Sequence, residues 1–131
     1  MNNYFRYDMY RMNNSPKLYS PKEGFEKGNM FMNLYNEYKN YQPVSLKPKN
    51  DQEKMLFNLQ AICFAAHELN LYLDLHPEDQ SMITLFNDYI KKIEELTRQY
   101  ESKYGPLTTS FEMNKGFNWV EEKWPWEVDN V

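Results

Sequence analysis

Glycine is scarce in this chain, with four residues in 131, and cysteine scarcer still, with one. So little glycine excludes a collagen-like repeat, and one thiol cannot build a disulfide framework. Cys63, between Ile62 and Phe64, reads as a buried thiol in a chain made in a reducing compartment. No excess of positive charge exists either: 15 Lys and Arg stand against 19 Asp and Glu, a net charge of −4, which argues against a dedicated nucleic-acid binder. A signal-peptide apolar run is missing from the start, where Arg6, Asp8 and Arg11 stand. The most apolar window, Met55 to Leu75, also holds Asn58, Gln60, His67, Glu68, Asn70 and Asp74, and is too polar to span a bilayer. The expectation is a chain cytoplasmic when made and not membrane-inserted, long enough for one domain or one small domain with tails.

What the chain has in quantity is aromatic side chains, 17% of residues, eleven of them Tyr. Composition divides it in three. Residues 1–49 form a Tyr/Asn-rich arm with a local basic excess. Residues 50–104 are acidic and hold one proline, Pro77. Residues 105–131 are turn-rich and carry all three Trp, at 119, 124 and 126. In the middle region Asn50 can cap a helix with Glu53 three residues on, the spacing of a capping box. That helix should run to about Leu75, because His76 precedes a proline. Pro77 suits the first turn of a second helix, with Glu78 and Asp79 favourable to its dipole, and Gly105-Pro106 ends it near Tyr104. The fold class expected is all-α: an antiparallel two-helix hairpin with a mostly irregular N-terminal arm and an aromatic C-terminal tail.

The apolar spacing predicts what each helix touches. In the second, Met82, Phe86, Tyr89, Ile93, Leu96, Tyr100 and Tyr104 form one seam facing one partner helix. The first helix has two. Met55, Leu59, Ile62, Ala66, Leu69 and Leu73 make one; Phe57, Ala61, Phe64, Glu68, Leu71 and Leu75 make another, about 200° round the helix. Its hairpin partner covers the first seam. The second needs cover from the arm, from the tail or from another protein, since leaving it exposed would forgo about 1.5–3 kcal/mol per large side chain. Phe57, Phe64, Leu71 and Leu75 are therefore the candidate partner-binding residues.

Catalytic chemistry finds no foothold. Metal sites in helical bundles place a Glu three residues before a His; here Phe64 precedes His67 and Leu73 precedes His76. No glycine-rich phosphate loop, Gly-x-Ser-x-Gly, Cys-x-x-Cys or His-Glu-x-x-His occurs, and Cys63 has no cationic neighbour in sequence to activate it. No catalytic, cofactor-binding or metal residue is assigned, and no cofactor is expected. In the arm, Tyr4 to Arg11 interleaves aromatics with Arg6 and Arg11, as a single-stranded nucleic-acid platform would. Asp8 interrupts it and the local excess is small, so a disordered adhesive arm is the favoured reading. The Tyr and Lys content also permits later cross-linking into an insoluble layer.

The runs from His67 to Asp79 (HELNLYLDLHPED), Tyr100 to Thr108 (YESKYGPLT) and Lys123 to Glu127 (KWPWE) resemble, in this order, the CotJB family of bacterial spore-coat proteins. The resemblance covers about residues 50–131. Ser20 to Tyr38 is similar to the short CotJA family, over about residues 16–47, with Asn29, Met32 and Glu37 departing from its pattern. The resemblance implies a non-enzymatic structural or assembly protein of the spore coat, made in the mother-cell cytoplasm, that docks with a manganese-catalase-like coat protein and other coat proteins. It further implies that the Mn chemistry belongs to that partner. Trp119, Trp124 and Trp126 join the candidate partner-binding residues as aromatic anchors. Two alternatives stay open: a tail folded back over Phe57 and Phe64 to complete a monomeric core, and a small metal-associated or regulatory helical protein of sporulation using His67, Glu68, Asp74 and His76.

Overall fold

A computed structural model describes residues 15–33 and 38–109. Among them the chain is helical: α1 (Pro21–Lys27), α2 (Asp51–Leu75) and α3 (Gln80–Tyr104), with a single isolated antiparallel bridge between Leu18 and Phe31. The Trp-rich tail and the Tyr4–Arg11 stretch lie outside the described residues.

α2 begins where its cap requires. Asn50 Oδ1 accepts from the Glu53 N–H at 2.8 Å, while the Glu53 carboxylate reaches back to the Lys49 N–H at 2.6 Å. That return bond satisfies an N–H one residue ahead of the cap and does the same work as a capping box. The helix ends at Leu75, with the His76 N–H closing on Tyr72 O at 3.0 Å.

The start of α3 corrects the sequence expectation. Pro77 is not in its first turn. Residues 76–79 form a turn in which the Asp79 N–H donates to His76 O, and Asp79 becomes the N-cap, accepting from the Met82 N–H at 3.2 Å. The reason is tertiary: Asp79 is also the acceptor for Tyr72 Oη at 3.1 Å, so its side chain is placed by α2 as well as by α3.

α2 and α3 lie side by side in opposite directions, since Gln52 Nε2 at the start of α2 meets Tyr100 Oη near the end of α3 at 3.1 Å, while Tyr72 meets Asp79 at the other end. The packing face of α3 contains Met82 and Tyr100, both buried, with Phe86, Tyr89, Ile93 and Leu96 half-buried between them. Leu59, Ala66 and Leu69 of α2 are buried. Glu53, Gln60, His67 and Asp74, spaced seven apart along α2, are all exposed and form its polar strip.

The arm is less irregular than its composition predicts. Ser20 Oγ accepts from the Glu23 N–H and the Glu23 carboxylate accepts from the Ser20 N–H, a complete capping box with Pro21 behind it; Gly28 (φ 71°) closes α1 in the left-handed region that a glycine adopts without cost. Residues 17–19 then pair with 30–32, through Tyr19 N–H to Met30 O and Met32 N–H to Lys17 O, both at 2.9 Å. Seven residues are too few to hold a helix alone in water. Packing on α2 supplies the rest, with Met30 fully buried beside Ala65, Leu69 and Met82.

Candidate docking surface

The second seam of α2 divides into a covered half and an open half. Phe57 is 7% exposed, lying under the Phe25 ring of α1 at a centroid distance of 5.7 Å in an edge-on geometry, with Lys22 Nζ 5.8 Å from its ring centre. Phe64, half-buried, meets the same Phe25 ring at 5.8 Å. Ala61 is buried, and Glu68 accepts from the Met30 N–H at 3.5 Å. Aromatic pairs of this kind contribute about 0.5–1.5 kcal/mol each beyond burial. The seam continues along α2 to Leu71 and Leu75, and there the cover stops: they are 49% and 66% exposed.

Of the seven residues proposed from sequence, α2 therefore aligns Phe57, Phe64, Leu71 and Leu75 on one stripe, with the first two beneath α1 and the last two open. Trp119, Trp124 and Trp126 lie outside the described residues. Spacing alone does not single out Phe25, Lys22, Met30 or Phe31 as the groups that occupy the seam. A signal is present: Ser20-Pro21-Lys22-Glu23 followed by Gly28 is a helix start and stop around one aromatic residue.

A polar cluster fastens the arm at the turn between α2 and α3. Ser15 Oγ lies 3.2 Å from both Asp79 carboxylate oxygens and 2.7 Å from Ser81 Oγ, and Ser81 Oγ donates to Asp79 Oδ1 at 2.7 Å. Burial raises the Asp79 carboxyl, but hydrogen bonds from Ser81, the Met82 N–H, Tyr72 and Ser15 outweigh it and hold the group below its ordinary range. Tyr72 is pushed up to about 12, first by burial and then by its hydrogen bond to Asp79. Its ring stacks on His76 at 4.4 Å and meets Phe31 at 5.4 Å, so it joins arm, turn and α2.

Cys63 is exposed, which corrects the expectation of a buried thiol; partial burial among apolar neighbours still pushes its pKa up, away from reactivity. Among the described residues no three His, Cys, Asp or Glu side chains come together as a metal site, so His67, Glu68, Asp74 and His76 are not assembled into one. No described helix is long and apolar enough to cross a membrane. A cleft of about 340 Å³ opens over α2 between α1 and α3, lined by Pro21, Ala61, Ile62 and Leu96 together with Lys22 and Lys92. It holds no convergent acid–base pair.

Among known proteins, the family model described as CotJB protein matches residues 53–127. The match takes in α2 from Glu53 onward, α3 and the sequence beyond it; it does not extend to about 16–47, and the resemblance of that stretch to CotJA finds no support in it. Neither a curated protein nor a solved structure matches the chain.

Proposed function

Because the chain belongs to the CotJB family of spore-coat proteins, we propose that it is a non-enzymatic structural and assembly protein of the spore coat that docks with a manganese-catalase-like coat protein. CotJB is not a known enzyme family. In this reading the chain is made in the mother-cell cytoplasm and transferred to the coat, with residues 1–49 acting as an arm, 50–104 as the helical docking unit and 105–131 as a tail that supplies Trp119, Trp124 and Trp126 as anchors.

The observation that supports it is the open half of the α2 seam. Leu71 and Leu75 stand in line with Phe57 and Phe64 and are left to solvent. An apolar stripe that ends in two exposed leucines suits a helical partner laid along its open half. A partner built on a helical bundle offers such a helix.

Recovery of the tagged chain from sporulating cells tests this. The expected result is a manganese-catalase-like coat protein in stoichiometric amount with the native chain, and its loss with Leu71→Asp/Leu75→Asp. Both side chains are exposed, so that variant should keep its helicity, at a cost of about 1–2 kcal/mol because the helix dipole and the neighbouring Glu68 and Asp74 disfavour negative charge in the last turns of α2. Equal recovery of the partner by native chain and variant would remove the docking assignment.

A further inference from the structure

The open half of the α2 seam carries a charge as well as an apolar stripe. Between Lys54 and Lys91 the hairpin has no lysine or arginine, while Glu68, Asp74, Glu78, Asp79 and Asp88 are acidic. Leu71 and Leu75 lie within this stretch, 49% and 66% exposed. Glu68 and Asp74 each stand three residues from Leu71 along α2, the spacing of neighbours on one helix face. A ligand for such a surface is aromatic or apolar at its centre and basic at its flanks.

Residues 1–14 have that make-up, with Tyr4, Phe5, Tyr7 and Tyr10 interleaved with Arg6 and Arg11 against one acid, Asp8. Their point of attachment lies beside the open half. Ser15 Oγ lies 3.2 Å from both Asp79 carboxylate oxygens and 2.7 Å from Ser81 Oγ, so the segment joins the fold at the α2–α3 turn. Four links of about 3.8 Å put the Cα atoms of Asp79 and Leu75 within about 15 Å, and one helical turn adds about 6 Å to Leu71. Fourteen residues extend to about 46 Å, more than twice that distance. A segment tethered so closely meets the surface at an effective concentration on the order of millimolar, which favours closure on its own chain.

The tail is the poorer occupant on both counts. It leaves from the opposite end of the hairpin, where Leu107 is held on Glu101. Its residues 110–131 are acidic, with Glu112, Glu121, Glu122, Glu127 and Asp129 against Lys115 and Lys123. The arm, by contrast, already covers the first half of the same seam through Phe25 on Phe57 and Phe64.

We infer that residues 1–14 turn back from Ser15 onto the open half of the α2 seam, setting their aromatic side chains on Leu71 and Leu75 and Arg6 and Arg11 against Glu68 and Asp74. The occupant is the chain's own segment, and the inference stands without the catalase-like partner. Where that partner uses the same stripe, the segment competes with it and sets how much of the surface is free.

A nitroxide at position 9 of the full-length chain tests this, attached through Met9→Cys with the exposed Cys63 replaced by serine. The Leu71 and Leu75 methyl signals should be lost to paramagnetic broadening. Those of Leu56, about 22 Å from Leu71 along α2, and of Leu96, about 26 Å from Asp79 along α3, should survive. Arg6→Glu/Arg11→Glu in the labelled chain should bring the Leu71 and Leu75 signals back. Those signals intact in the first chain, or lost as completely with both arginines reversed, overturn the inference. Their loss from unlabelled chain mixed with spin-labelled copies overturns it too, since the occupant would then be another molecule's segment. No partner is present in this experiment, so its outcome is read separately from the recovery of a coat protein.

Discussion

Replacing Phe25 with alanine probes the contact on which the arm depends. The ring is half-buried and touches Phe57 at 5.7 Å and Phe64 at 5.8 Å. Full burial of a phenylalanine makes truncation cost about 3–5 kcal/mol; half burial scales that to about 2 kcal/mol, and two aromatic contacts add about 1 kcal/mol. The docking of residues 15–33 should therefore weaken by about 2–3 kcal/mol. The loss should be local, because α2 and α3 keep their own seam and partly independent units open separately. Hydrogen exchange reads this directly. The Tyr19 and Met32 amides, which bond to Met30 O and Lys17 O, should exchange about 30- to 150-fold faster, the factor that 2–3 kcal/mol represents, while mid-helix amides of α3 change little. Phe25→Leu should recover part of the protection by restoring apolar area without the ring. Protection of Tyr19 and Met32 unchanged in Phe25→Ala would refute the assignment of Phe25 as the anchor.

Other outcomes follow from single contacts. Gly24→Ala should destabilise the arm by about 1–3 kcal/mol despite alanine's better helix propensity, because its methyl would run into the fully buried Met30 sulfur and meet Asn29 O at 3.3 Å; the same exchange experiment reads it. Asp79→Ala removes the α3 cap and the acceptor of Tyr72, Ser81 and Ser15, and should lower the urea midpoint by the equivalent of about 1–2 kcal/mol. Raising the pH should weaken the fold from about pH 10 to about 12. Tyr72 is held protonated in the folded chain up to about 12, against 10.0 for an unperturbed tyrosine, so its contribution is complete below 10 and is lost as the pH climbs through that window. Tyr72→Phe should shrink this alkaline phase in a urea-unfolding series, leaving the part that Tyr89 contributes, whose pKa burial also raises; a phase of unchanged size would assign it to another group.

Much of this architecture is legible in the sequence, and the parts that are not have particular causes. The limits of α2 and the end of α3 are written in residues whose effect is local: Asn50 with Glu53, His76 before Pro77, and Gly105-Pro106. Local chemistry does not fix the start of α3. Pro77 is a good first-turn residue, but Asp79 answers to Tyr72 across the turn, and a contact made by folding decides between two adequate caps. α1 escapes for a related reason. Its capping box is plain in Ser20 and Glu23, yet seven residues with Gly24 inside carry too little propensity to stand out, and the helix forms because α2 receives it. Periodicity does find the two apolar seams of α2. It cannot name what lies on the second, because a hydrophobic stripe specifies shape and area but not the identity of its cover. Cys63 shows the same limit, since apolar neighbours in sequence point round a helix in different directions.

The arm, the turn and the end of α3 also fix where the chain's outer segments depart. Ser15 is tied to Asp79 at one end of the α2–α3 pair, and Leu107, held by its N–H on the Glu101 carboxylate at 3.0 Å, leaves from the other. The points lie roughly a helix length apart, about 37 Å for 25 residues. Neighbours gripping residues 1–14 and 110–131 would be joined through two rigid rods side by side. A pull between them would load those rods in tension along their axes, and would strain the Ser15–Asp79 fastening before any helix lengthened. In a layered shell, a molecule so gripped would set a spacing.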